Sequence, residues 1–270
     1  MRAVKTVLAN QPPTGGRAKI LPFPNSPDIR ALLLDIEGTT TPIDFVLKTL
    51  FPYAAAHVEE FLRANSGDSE TKQIIADLRC TWSAAASSGA PLWMESTPEE
   101  KLASAAAYVR WLISRDSKIT PLKTLQGKIW EQGFRSGKLK GELYPDVASA
   151  FKRWHQQGRR IAIFSSGSVL AQQLLFAHSA AGDLSSRIAA YFDTNTGPKR
   201  EPASYRNIAS ALQLPPDQIL FVSDVLSELD AAHAARMNTA QSLRPGIPAE
   251  PTPAHPSLET FDRLFPTSSE

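Results

Sequence analysis

The sequence predicts an α/β fold, a doubly wound parallel sheet with an inserted all-helical cap. Two observations carry that prediction. Short apolar runs of strand length alternate with helical patterns over the second half of the chain, as in parallel β-α units. The first two such runs, at 29–34 and 160–164, are separated by a long stretch that reads only as helices. A β-α-β unit ordinarily returns to its second strand within ~30 residues, so the intervening stretch reads as a unit of its own. The organisation expected is therefore a leader at 1–28, a core at 29–44 and 141–246, a cap at 45–140 and a tail at 247–270.

Residues 29–34 have the length and content of a fully buried strand. The run ends in Asp35, and Glu37, Gly38, Thr39 and Thr40 follow. A buried strand ending in carboxylates needs something to compensate them. The ends of parallel strands are also where open α/β sheets place their ligands. Asp35 reads as a nucleophile or metal ligand. Glu37 lies on the same side of an extended backbone and reads as its acid/base partner. Gly38 allows a tight turn that can present N–H groups to an anion.

The helical stretch comprises 45–50 and 53–62 on either side of Pro52, then 70–85. Thr97-Pro98-Glu99-Glu100 is a capping box with proline at the first helical position, opening a helix through 112. A further helix is expected over 122–134. This segment begins within ten residues of Asp35, so it can hang over the strand end as a lid. Pro145-Asp146 opens the next helix, which ends at Gly158 and leads into the strand at 160–164. Helix 168–178, strand 191–193, helix 203–212, strand 219–222, helix 227–237 and strand 239–243 follow. The tail is proline-rich and reads as irregular, although 258–265 can pack back.

The composition excludes several classes. A formal net charge of +2 over 270 residues is too near neutral for a nucleic-acid surface. No apolar run reaches the ~20 residues that span a bilayer. Hydrophobic content of 42% supports a packed core. Cys80 is the only cysteine, so no internal disulfide forms, and a reducing, cytoplasmic setting fits. Its helical neighbours Ile74, Ile75, Leu78 and Trp82 make Cys80 read as packing rather than reactive. The leader carries basic residues and five prolines without a secretory h-region, and reads as a disordered extension.

Three more strand ends or loops carry chemistry. The strand at 160–164 runs into Ser165-Ser166-Gly167-Ser168 at a helix start, where hydroxyls and N–H groups can hold an anion. Each is also what an ordinary serine N-cap looks like. Lys199 sits in a loop before a helix. The strand at 219–222 runs into Ser223-Asp224, with Glu228 in the next helix. Two acidic strand ends can hold a hard divalent cation through oxygens, and Mg²⁺ suits an open, partly hydrated site. Asp35 can attack phosphorus while Ser165 and Lys199 hold the phosphoryl oxygens.

These four segments, in this order, resemble the motifs of the haloacid dehalogenase-like phosphatases. Most of that superfamily carry Asp two positions after the nucleophile, whereas this chain carries Glu37. With LLLDIEGTTTPIDFV, LKTLQGKIW, IFSSGSVLAQQLLFAHS, YFDT and LRPG, it is similar to the enolase-phosphatase (acireductone synthase) family of methionine salvage. The resemblance implies enolisation of 2,3-diketo-5-methylthiopentyl-1-phosphate, followed by hydrolysis to 1,2-dihydroxy-3-keto-5-methylthiopentene and phosphate. It implies Asp35 as nucleophile and Mg²⁺ ligand, Glu37 as acid/base and backbone ligand, and Asp224 as the remaining ligand. It further implies Ser165, Ser166 and Lys199 on the substrate phosphate, with Glu228 orienting the metal site. The expected partner is a small phosphorylated diketone bound by a monomer, with neither nucleic acid nor membrane involved. Tyr53, Trp93 and Trp130 are aromatic candidates for the methylthio end, and each reads more readily as core packing than as substrate contact. The extra methylene of Glu37 extends its reach by roughly 1.5 Å, towards both an ester oxygen and a carbon-bound proton. The sequence names no base for enolisation. A plain Mg²⁺ phosphatase, a phosphomutase and a non-catalytic binding protein on the same fold are the alternatives.

Overall fold

The computed structural model describes residues 26, 28–85, 89–245, 251–252 and 254–266. The leader expected at 1–28 falls almost wholly outside them. Strands β1 (Ala31–Leu34), β2 (Arg160–Phe164), β3 (Ile188–Phe192), β4 (Ile219–Ser223), β5 (Asn238–Ser242) and β6 (Ser257–Leu258) form one sheet in the order β3-β2-β1-β4-β5-β6. Every pairing is parallel. β1 lies at the centre, with Leu34 level with Ile163 on one side and Val222 on the other.

Burial on both faces explains why the strands are runs of apolar residues rather than alternations. Side chains alternate across the sheet. Ala31 and Leu33 pack with Tyr205, Ile208, Leu212 and Leu229 of helices α8 (Pro202–Leu212) and α9 (Leu226–Ala234). Leu32 and Leu34 face the opposite way, into a core built from α6 (Val147–Gln156) and α7 (Val169–Ala177). That second core continues without interruption into the helical segment.

The helical segment contains α1 (Ile43–Phe45), α2 (Phe51–Ala64), α3 (Ser69–Ala85), α4 (Pro98–Ser114) and α5 (Thr120–Arg135). A π-helical turn over Val46–Leu50 joins α1 to α2. It directly precedes Pro52, whose ring has no N–H and would crowd the carbonyl four residues back, so the helix widens there instead of breaking. Trp130 of α5 donates from Nε1 to the Leu50 carbonyl at 2.8 Å. The capping box forms as the sequence predicts: Thr97 Oγ1 accepts from Glu100 N–H, and Glu100 Oε2 accepts from Thr97 N–H, both at 3.2 Å.

Three expectations change. Cys80 is exposed on α3, because its position falls just outside the Ile74–Ile75–Leu78 stripe, so it is not a packing residue. The tail is not simply irregular: β6 extends the sheet, and Phe261, Leu264 and Phe265 are buried. Arg153 and Trp154 of α6 and Gln157 at its C-cap donate to the carbonyls of Phe261, Leu264 and Phe265, which gives those backbone groups partners. Finally, the N–H groups of Gly38 and Thr39 bond to the carbonyls of Thr41 and Ile36, so they do not face an anion. Gly38 does adopt φ +70°, the left-handed turn expected of it.

Candidate active site

Because the strands are parallel and in register, β1, β2 and β4 all end at one edge. Asp35, Ser165 and Asp224 follow them there, and the loop after β3 brings Lys199. Asp35 is buried. Its Oδ1 accepts from the Ile36 N–H at 2.8 Å and pairs with Lys199 Nζ at 2.7 Å, and its Oδ2 accepts from Ser223 Oγ at 3.1 Å. Lys199 Nζ also pairs with Glu228 Oε2 at 2.7 Å, and its side chain is only 10% exposed. Ser165 Oγ donates towards Glu37 Oε2 at 3.4 Å and accepts from the Gly167 N–H at 3.1 Å. Asp224 and Ser166 are half-buried at the same edge. Six of the seven residues singled out from the sequence therefore lie on the strand-end edge or the loops beside it, and Glu228 reaches it from the first turn of α9.

Two local devices hold the lysine. Gly197 takes φ +137°, and a β-carbon there would run into the Ser204 side chain. Tyr205 donates its hydroxyl to the Lys199 carbonyl at 2.7 Å. Together they turn a loop lysine, ordinarily solvated, back under the sheet edge.

The carboxylates are crowded. Burial pushes Glu37 up from its ordinary value, and the charge of Asp35 adds to the shift. Burial and then Asp35 push Asp224 up to about 6. The same causes push Glu228 up to about 7. Burial alone would lower Lys199, but Asp35 and Glu228 outweigh it and hold the ammonium above the ordinary lysine value. Among the described residues no three His, Cys, Asp or Glu side chains form a metal cluster. The donor set nevertheless fits a hard cation. Two carboxylates from neighbouring strand ends, Asp35 and Asp224, repel each other, and a divalent ion held by few protein oxygens would relieve that repulsion.

A cavity of about 200 Å³ opens beside Glu37. Ile36, Phe45, Leu50, Phe51, Trp130 and Leu175 give it apolar walls, and Asp116 and Lys118 line it from the helical segment. Trp130 is thus the one aromatic candidate of the three that lines this cavity. Trp93 packs against Trp82 and Tyr108, and Tyr53 stacks on His57.

Two features escaped the sequence reading. Ser223 bridges Asp35 and Glu228, its Oγ lying 3.1 Å from each carboxylate, and its position at the end of an apolar strand was the available signal. Arg244 is buried behind the turn that follows Glu37. It donates to the Thr39 carbonyl at 2.8 Å and pairs with Asp146 at 2.6 Å. Arg244 falls in the LRPG stretch, but nothing local in the sequence pairs it with Asp146.

A family model for haloacid dehalogenase-like hydrolases matches residues 29–236. A Synechococcus elongatus protein named Enolase-phosphatase E1 is 51% identical over 244 residues, covering 90% of this chain and all of that one. A protein of the same name from Drosophila mojavensis is 46% identical, covering 87% of this chain and 94% of its own length. Among solved structures, the UTR4 protein of Saccharomyces cerevisiae matches with a TM-score of 0.70 at 34% identity, over 87% of this chain and 99% of its own. A Thermococcus onnurineus phosphatase at 17% identity and a TM-score of 0.52 shares the fold, over 87% of this chain and 95% of its own. With the strand-end residues and the sheet order in place, these likenesses settle the assignment: the chain belongs to the enolase-phosphatase E1 family of haloacid dehalogenase-like hydrolases.

Proposed function

We propose that this chain enolises 2,3-diketo-5-methylthiopentyl-1-phosphate and then dephosphorylates it, as the acireductone synthase of methionine salvage. The shared name of relatives that match along nearly their whole length supports the reaction. One structural observation supports the site: a buried aspartate at the central strand end, held between an ammonium and a hydroxyl, with a second acid beside it.

Asp35 attacks phosphorus and forms an aspartyl phosphate. Glu37 protonates the departing oxygen as general acid. Glu37 then takes the proton of the water that hydrolyses the aspartyl ester. Lys199 and the Ser165-Ser166 loop hold the phosphoryl oxygens, where positioning and charge neutralisation supply most of the catalysis. Glu228 and Ser223 keep Lys199 and Asp35 oriented. Asp35, Asp224 and the backbone carbonyl of Glu37 would hold Mg²⁺. That ion, when bound, neutralises charge on the phosphoryl oxygens. Residues 45–140 act as the cap over the core formed by 29–44 and 141–246. The apolar cavity beside Glu37 takes the methylthio end of the substrate. A single chain supplies every group, so the reaction needs no second subunit.

The test is phosphate release from the methylthio diketo phosphate with and without Mg²⁺, with D35N as control. Release only with Mg²⁺, preceded by an enol intermediate and lost in D35N, is the expected result. Release with no enol would reduce the chain to a plain phosphatase.

A further inference from the structure

Proton abstraction from a diketone leaves negative charge on a carbonyl oxygen, and the strand-end residues are already engaged with the phosphate. Among the described residues, one cation lines the cavity beside Glu37, and it comes from the helical segment. Lys118 lies in the loop between α4 and α5 and lines the same cavity as Glu37 and Trp130. Its Nζ stands 5.6 Å from the centre of the Phe51 ring, another wall of that cavity.

The loop breaks two local rules to place this lysine. Asp116 follows the end of α4 with φ +50°. Its N–H bonds to the Ile113 carbonyl, and the Ser117 N–H bonds to the Leu112 carbonyl. This is the helix-ending position where glycine is the default, because a side chain is strained at positive φ. A carboxylate at the negative end of a helix dipole is unfavourable as well. Both costs are borne by a residue whose Oδ1 pairs with Lys118 Nζ at 2.5 Å and which itself lines the cavity. Local rules broken together at a cavity wall are what a functional position produces.

We propose that Lys118, oriented by Asp116, is the electrophilic residue of the enolisation half-reaction; this rests on the enolase-phosphatase reading above. In that step the Glu37 carboxylate takes a proton from the carbon bearing the phosphate ester. The C–H electron pair becomes the new C=C bond, and the adjacent carbonyl π pair moves onto its oxygen. The Lys118 ammonium donates a hydrogen bond to that oxygen and stabilises the enolate. Protonated Glu37 is then ready to protonate the departing ester oxygen, so one proton serves both halves of the reaction. The Lys118 side chain is 57% exposed at the cavity wall, and its charged donor makes a stronger hydrogen bond to the developing oxyanion than a neutral group would.

The experiment separates the two half-reactions. Enol accumulation is measured in the D35N background, where phosphoryl transfer is blocked, by NMR exchange of the C1 proton in deuterium oxide. Hydrolysis of p-nitrophenyl phosphate is measured with Asp35 intact. K118M should lower the ratio of enolisation to hydrolysis by about 100-fold, the lower end of the range for loss of one oxyanion donor. K118R should recover part of it. Lys118 is on an exposed loop, so folding is not at stake. An unchanged ratio in K118M overturns the proposal, and so does a parallel fall in both reactions. A parent D35N chain that never exchanges the C1 proton would instead overturn the enolase reading itself, and this shows before any Lys118 variant is made.

Discussion

Replacing Arg244 by methionine tests how the far end of the chain supports the active site. The Arg244 side chain is 2% exposed. It donates to the carbonyls of Thr39 and Glu259 at 2.8 and 3.2 Å and to Asp146 Oδ2 at 2.6 Å. Its guanidinium also lies over the Tyr144 and Phe261 rings, at 4.6 and 4.2 Å from their centres. R244M keeps most of the volume and removes every donor. Leaving one partner of a buried ion pair costs about 3–5 kcal/mol. Asp146 keeps two donors, the Phe261 N–H and the Thr260 hydroxyl, so the lower part of that range applies. For a chain of this size each kcal/mol moves the melting temperature by about 2–4 °C, so about 3 kcal/mol predicts a fall of about 6–12 °C. Urea unfolding followed by tryptophan fluorescence, with a thermal melt, measures both. R244M combined with D146L should recover at least about 1 kcal/mol relative to the sum of the single variants, because neither charge is then left alone. A loss under about 1 kcal/mol, or strict additivity, would refute the view that this pair anchors the turn after Glu37.

Three further expectations follow from the site and the tail. E37Q should abolish hydrolysis even of simple phosphomonoesters, and wild-type rates in that variant would end the acid/base assignment. G197A should lower kcat/KM by about 10- to 100-fold by displacing the Lys199 loop, since small misplacements of a catalytic group carry costs of that size; unchanged kinetics would show that the loop tolerates a β-carbon. Removing residues 257–270 strips Leu258, Phe261, Leu264 and Phe265, each buried side chain worth about 1.5–3 kcal/mol. That sum rivals a domain's whole stability, so the shortened chain should fail to fold, and a soluble product with a cooperative melt would contradict it.

Much of this protein can be read along the chain, because the relevant physics is local. Apolar runs of strand length announced β1, β2 and β4, and their terminal acids and hydroxyls announced the site, since a strand's last residue lands at the sheet edge whatever the rest does. The Thr97 capping box depends only on neighbouring residues and forms as read. The tail was harder, because the order that Phe261–Phe265 acquires comes from three side chains in and just after α6, more than a hundred residues earlier. Cys80 misled because a helical stripe of i, i+3, i+4 residues has an edge whose position depends on the neighbour it meets.

The sequence by itself determined the layered α/β class, the helical insertion and the residue types proposed for the chemistry, through hydrophobic period and strand-end composition. Tertiary structure alone decided that Ser223 joins Asp35 to Glu228, that Arg244 braces the turn after Glu37, and that a lysine from the helical segment shares a cavity with the acid. Those are meetings of distant segments, and only the packing of a folded chain selects which distant groups meet.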